Sequence, residues 1–176
     1  MLDFVGVYAP LTRLKSRGHL PDFSWVTTAR TPAVRDGFGL SLDVDLVRPD
    51  LSDFDLIFLP GGFGTRALKD DADFIDWIKT AQSVPLKTSV FTGSLLLGAA
   101  GFLRGLAATT HFNEYDRLDP YCREVVRQRV VDEGTVVTGG GVAASLDLGL
   151  HLCERLAGPA ARQDIQRSMH YQPAGG

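Results

Sequence analysis

The chain has 176 residues, 44% hydrophobic and 22% charged, which is enough apolar material for one well-packed core and too little chain for two ordinary domains. Eighteen basic and 21 acidic side chains leave a net charge of -3, and no basic stretch interleaves with aromatics, which argues against a nucleic-acid partner. No apolar run approaches the roughly 20 residues that span a bilayer, and the first residues lack the regions of a signal peptide, so a cytoplasmic protein with no membrane partner is expected.

In chain order, strands alternate with helices. Phe23 to Ala29 is β-branched and aromatic and predicts a strand, Gly39 to Leu46 alternates apolar with polar residues, and Asp55 to Leu59 is a short buried run ending in Pro60-Gly61-Gly62. The Asp36-Gly37 pair marks a turn, so residues 32–46 read as a small hairpin beside the main sheet. Ala72 to Gln82 sets Phe74, Ile75, Trp77 and Ile78 on one side of a helix. Leu86 to Val90 predicts a buried strand, Gly93 to Phe102 a helix, Ala107 to Thr110 a short strand and Asn113 to Leu118 a helix. Arg129 to Val131 and Thr135 to Thr138 flank a turn. Val142 to Leu156 is a long helix with Val142, Leu146, Leu150 and Cys153 on one stripe and Asp147, His151 and Glu154 on a solvated one. Met169 to Tyr171 fit a segment folding back on the body. Together these elements predict one domain over 1–176, an α/β layered fold with a mostly parallel sheet.

Cys122 and Cys153 suit neither a disulfide scaffold nor a zinc site and read as structural, reduced thiols. The segment "LKTSVFTGSLLLGAAG" has the layout of a nucleophile elbow: a buried strand, an abrupt turn, then a glycine-rich helix start. Such a turn aims backbone N–H groups and the helix dipole at the residue it presents, which stabilises a thiolate and an oxyanion. Phe91 stands at that point, and a phenyl ring cannot act as a nucleophile. The elbow is a sparsely populated backbone state, so a bulky residue there implies either a relaxed turn or a strained ring blocking the cavity.

With "LDFVGVYAPL", "LIFLPGGFGTRAL", "TSVFTGSLLLGAAGFLRGLAATTHF" and "VVTGGGVAASLDLGLHL" in one order, the chain resembles the ThiJ/PfpI superfamily, and within it the isocyanide hydratases. The resemblance implies a flavodoxin-like three-layer α/β/α sandwich, usually homodimeric, which hydrates an isocyanide to an N-formamide without metal or organic cofactor. In that chemistry a cysteine attacks the isocyanide carbon and a nearby acid shares a proton with the thiol. Carried over, Asp3 takes the place of the acid, Phe91 that of the cysteine and Thr92 that of the residue after it. Gly61 and Gly62 match the backbone facing the substrate, and Gly139 to Gly141, centred on Gly140, match a pocket-side loop. The family pattern also places an apolar strand upstream of the acid, whereas Met1 lies two residues before Asp3. Either the start is shortened or misassigned, or the domain tolerates a gap in its sheet; the former is expected, because a gap would leave backbone groups unpaired in the interior.

Plainer readings stand beside these. Phe91 fills an emptied pocket with aromatic area, Asp3 is an N-cap for a helix over "DFVGVYAPL", and Thr92 caps the helix after the elbow. Gly61-Gly62 is a strand-to-helix turn in either reading. His111 is a proton carrier by residue type and more often a structural residue. Three functions follow: a catalytically degenerate isocyanide hydratase relative that keeps a small-molecule pocket, a hydratase or amidase using Asp3 or His111 with water, and the sensor domain of a regulator. For the last, the five residues after Tyr171 are read as too few for a helix-turn-helix.

Overall fold

The computed structural model describes residues 1–172. It opens with helix α1 (Leu2–Ser16), followed by β1 (Thr28–Ala29), β2 (Ala33–Arg35), β3 (Ser41–Asp43), β4 (Leu46–Val47) and β5 (Leu56–Leu59). Helices α2 (Thr65–Leu68) and α3 (Ala72–Lys79), strand β6 (Leu86–Val90), helix α4 (Ser94–Ala99) and strand β7 (Ala107–Ala108) come next. The chain continues through α5 (Tyr115–Leu118), β8 (Glu124–Val125), β9 (Val130–Asp132), β10 (Val136–Gly139), α6 (Ala144–Ala157) and α7 (Pro159–Ser168).

Strands β5, β6, β10 and β9 form the main sheet in that order. β6 runs parallel to β5 and to β10, with Phe58 opposite Thr88 and Thr138 opposite Ser89, while β9 is antiparallel. Every residue of β6 is buried, as expected of a parallel strand covered on both faces. On one face α1, α6 and α7 cover it through Val7, Leu11, Leu14, Leu148, Leu152 and Ile165. On the other, α3, α4 and α5 supply Ile75, Ile78, Leu95, Leu97 and Leu118. Each such side chain, fully buried, contributes about 1.5–3 kcal/mol. The three-layer sandwich read from the sequence is therefore present. Among the described residues, no strand pairs with the outer edge of β5.

Several boundaries differ from the sequence reading. Only Thr28 and Ala29 of the Phe23–Ala29 segment are strand, because Phe23 and Trp25 turn to aromatic packing, Trp25 lying edge-on to Tyr8 of α1 at 6.0 Å. Gly39 to Leu46 is not one strand: Asp45 breaks it by accepting from the Thr27 N–H and hydroxyl at 2.7 and 2.8 Å. The hairpin is real, with Val34 opposite Leu42. Helix α3 tightens into a 3-10 turn at Thr80, and α4 is six residues long. Helix α1 extends the helix that the plainer reading gave to "DFVGVYAPL", and α7 has no counterpart in the pattern reading. Pro159 opens α7 at a position where its missing N–H costs nothing.

The α6 stripe also shifts. Val142 is exposed and precedes the helix, and the buried face runs through Ala144, Ser145, Leu148, Gly149, Leu152 and Cys153. Asp147 and His151 are half-buried and paired instead of freely solvated: Asp147 accepts from Arg129 and, at 3.0 Å, from Tyr171, and His151 meets Asp132 at 2.6 Å. Tyr171 is thereby fixed against the body, as the folded-back reading of the C-terminal segment expects.

Candidate functional site

Strand β6 ends at Val90 in extended conformation and the chain turns abruptly into a 3-10 turn over Phe91–Gly93 before α4 begins. Phe91 takes φ = +54°, a left-handed state that costs a residue with a Cβ about 1–2 kcal/mol. The turn has kept its strain instead of relaxing. Its carbonyl is held twice, by the Thr110 hydroxyl at 2.8 Å and the Ser94 hydroxyl at 3.1 Å. Gly93 is required because an added Cβ would lie 2.1 Å from the Leu59 carbonyl oxygen.

Gly61 and Gly62 follow β5 and run beside this turn. A Cβ on Gly61 would meet Phe91 Cδ1 at 2.6 Å and Thr92 N at 2.7 Å, so backbone and elbow touch directly. Thr92, fully buried, accepts from the Gly62 N–H at 3.0 Å and from the Thr65 hydroxyl at 2.8 Å, and donates to the Gly62 carbonyl at 3.1 Å. It does not cap α4, whose N-terminus has no side-chain cap. Its hydroxyl locks the two-glycine turn against the elbow.

Asp3 is not an N-cap either; Met1 holds that position and Asp3 sits in the first turn of α1, 7% exposed. Burial pushes its carboxyl above the usual Asp range, opposed by the nearby N-terminal charge, a hydrogen bond from the Gly61 backbone and the charge of His111. His111 closes the cluster from the other side: its ring lies edge-on to Phe91 at 4.7 Å, and Phe112 packs behind it at 4.1 Å. Asp3, Gly61, Gly62, Phe91, Thr92 and His111 thus converge from four chain segments. Gly140 directly follows β10, whose last residue Gly139 stands opposite Val90 beside the elbow; it is buried, and a Cβ there would lie 3.2 Å from the Gln128 carbonyl and 3.6 Å from that of Thr110.

The pattern reading missed an ion cluster that ties the flanking loops together. Glu114, 3% exposed, accepts from Arg66 Nε at 3.0 Å and Nη2 at 2.5 Å, and from Arg117 at 2.8 Å. Burial alone would raise its carboxyl, but the two guanidiniums outweigh that and hold it below the usual range. Arg66 also stacks over the exposed ring of Phe63, centred 5.6 Å away. No local signal marks Glu114, since Arg66 lies 48 residues away along the chain. Among the described residues, no group of three His, Cys, Asp or Glu side chains forms a metal site, and no helix is long and apolar enough to cross a membrane.

The arrangement combines a strained elbow, a buried carboxyl raised above the usual Asp range, a glycine turn and an imidazole, all around an inert ring. The DJ-1/PfpI family profile matches residues 3–155. The chain belongs to the DJ-1/PfpI family. Within that family, isonitrile hydratase of Pseudomonas putida is 39% identical over 142 residues, which is 80% of this chain and 62% of the hydratase. The HTH-type transcriptional regulator CdhR of Pseudomonas aeruginosa is 30% identical over 163 residues, 90% of this chain and 48% of the regulator. The chain therefore spans less than two thirds of the length of either relative. A DJ-1/PfpI fold neighbour, the crystal structure of a ThiJ/PfpI protein from Pseudomonas syringae, superposes with a TM-score of 0.87 at 30% identity, covering 99% of this chain and 74% of that one. Drosophila melanogaster DJ-1beta, at 21% identity and a TM-score of 0.82, shares the fold.

Proposed function

We propose that this chain is an isonitrile hydratase-like DJ-1/PfpI protein whose covalent chemistry has been silenced by Phe91, leaving a fold with a small-molecule site. The observation that carries this reading is the phenyl ring at φ = +54° on the elbow, against Gly61 and 4.7 Å from His111. Hydration through a thiol requires sulfur to bond the isonitrile carbon, a proton to reach that carbon, and water to displace the sulfur and release the N-formamide. In this reading Asp3 supplies the proton, and the group that makes the first bond is missing. In a serine protease, removal of the nucleophile costs about a millionfold in turnover.

The test is formamide production from a small alkyl isonitrile, followed by NMR. The protein should match buffer alone, whereas Phe91→Cys should exceed it by orders of magnitude and Asp3→Asn in that background should remove most of the gain. Hydration by the unmodified protein would overturn the reading and assign the work to Asp3 or His111 with water. A second reading, a ligand-sensing domain, is supported by the match to CdhR over 90% of this chain; it requires ligand binding at the elbow without turnover. We further propose a cytoplasmic homodimer that needs neither metal nor organic cofactor, its contact supported by the exposed apolar face of Leu2, Val5, Tyr8, Trp25 and Val26.

A further inference from the structure

Lys87 lies in the middle of the sheet and is 6% exposed, the one buried lysine of four in the chain. Its Nζ donates to the Val84 carbonyl at 2.6 Å and sits 5.1 Å from the centre of the Phe102 ring. Among the described residues no carboxylate compensates it; burial acts on the ammonium and pulls its proton affinity down. A buried charge without a counter-ion is costly. Val84 and Phe102 satisfy part of the ammonium, which has three donors.

Lys87 also borders a cleft of about 380 Å³, shared with the polar side chains of Gln82, Ser83 and Thr135 and the apolar walls of Pro85 and Phe102. That volume lies within the range of small-molecule sites. Four residues along β6 separate Lys87 from Phe91, roughly 13 Å at strand spacing, so the cleft opens at the opposite end of the strand from the elbow. It is a separate place on the molecule.

We propose that this cleft is a second binding site, for a small organic monocarboxylate whose head group pairs with Lys87 while Gln82, Ser83 and Thr135 supply neutral donors. One cation matches one negative charge; a phosphate dianion would leave its second charge unmatched in a half-buried cleft. The short apolar tail lies against Pro85 and Phe102.

The experiment uses the full chain labelled with ¹³C at lysine Cε, its signals assigned with Lys15→Arg, Lys69→Arg and Lys79→Arg. Sodium butyrate, inorganic phosphate and sodium chloride are titrated at constant pH and ionic strength. The Lys87 signal alone should shift with butyrate and saturate in the millimolar range, with phosphate at least several-fold weaker and chloride without effect. Calorimetric butyrate binding should vanish in Lys87→Met, whose fold is checked by circular dichroism. If all four lysine signals drift together without saturation, the site does not exist. Phosphate saturating as tightly as butyrate would overturn the assignment to a monocarboxylate. The titration of the unmodified chain decides between these outcomes even if Lys87→Met fails to fold.

Discussion

At Phe91 a phenylalanine occupies a backbone state that favours glycine, and its neighbours compensate. Its carbonyl takes two hydroxyl hydrogen bonds, its ring packs on His111, and Gly61 leaves the space its side chain needs. Strain of about 1–3 kcal/mol at such a turn persists only where the surroundings fix it. The same loops are fastened by Glu114, whose carboxyl is held below its ordinary value near 4.5 by Arg66 and Arg117. A lowered folded-state value means that the stabilisation is fully present above about pH 4.5 and is lost as pH falls through the folded-state value. Glu114→Gln should therefore flatten the acid limb of the stability curve and cost up to about 3 kcal/mol at pH 7, because it leaves Arg66 under-compensated. Urea unfolding across pH 3–7 checks both effects; an unchanged acid limb would exclude the role given to Glu114.

Between elements, the tightest contact is the crossing of α1 and α6. An added Cβ on Gly149 would lie 2.7 Å from Pro10 Cγ and 3.1 Å from the Gly6 carbonyl, and one on Gly6 would lie 2.0 Å from the Ser145 hydroxyl. Gly149→Ala should cost about 1–3 kcal/mol by overpacking, whereas Gly141→Ala, with open space around it, should change stability by less than about 0.5 kcal/mol. Chemical denaturation of the two variants makes the comparison. This crossing also explains what was legible in the sequence. Strands β5 and β6, the two-glycine turn and the elbow follow from apolar runs broken by glycine, and they were readable. Helix α1 was legible only as the plainer reading of "DFVGVYAPL", because Gly6 and Pro10 weaken its local helix signal while both pack against α6. Glu114 and Arg66 were invisible for a related reason: a pair 48 residues apart leaves no periodicity. The stripe of α6 was misplaced because its contact face uses Ala144, Ser145 and Gly149, small residues that a hydrophobicity pattern ignores.

Over the whole molecule, two hydrophobic layers hold a sheet whose two ends differ in character. The C-terminal end of β6 carries the elbow with Asp3 and His111, and the N-terminal end carries Lys87 and its cleft. The apolar face formed by α1 and Trp25 is left open in the single chain, with Leu2 54% and Trp25 41% exposed. A homodimer that covers this face should sediment at twice the 19.1 kDa chain mass at micromolar concentration, and Leu2→Lys with Trp25→Ser should shift it toward monomer. A lone monomer before substitution would count against the dimer.

On the proposed reading, the scaffold that activates a thiol survives around a residue that cannot use it. The most direct measurement is the pH dependence of iodoacetamide alkylation in Phe91→Cys. The native thiols serve as internal references, since burial pushes Cys153 up to about 12 and Cys122 above its ordinary value. The new thiol should react rapidly below pH 7, with an apparent pKa well under the roughly 8.5 of a free cysteine, because backbone N–H groups at the start of the helix favour the thiolate. An apparent pKa of about 8.5 or higher would show that the elbow holds its shape without its electrostatics, and would contradict the account.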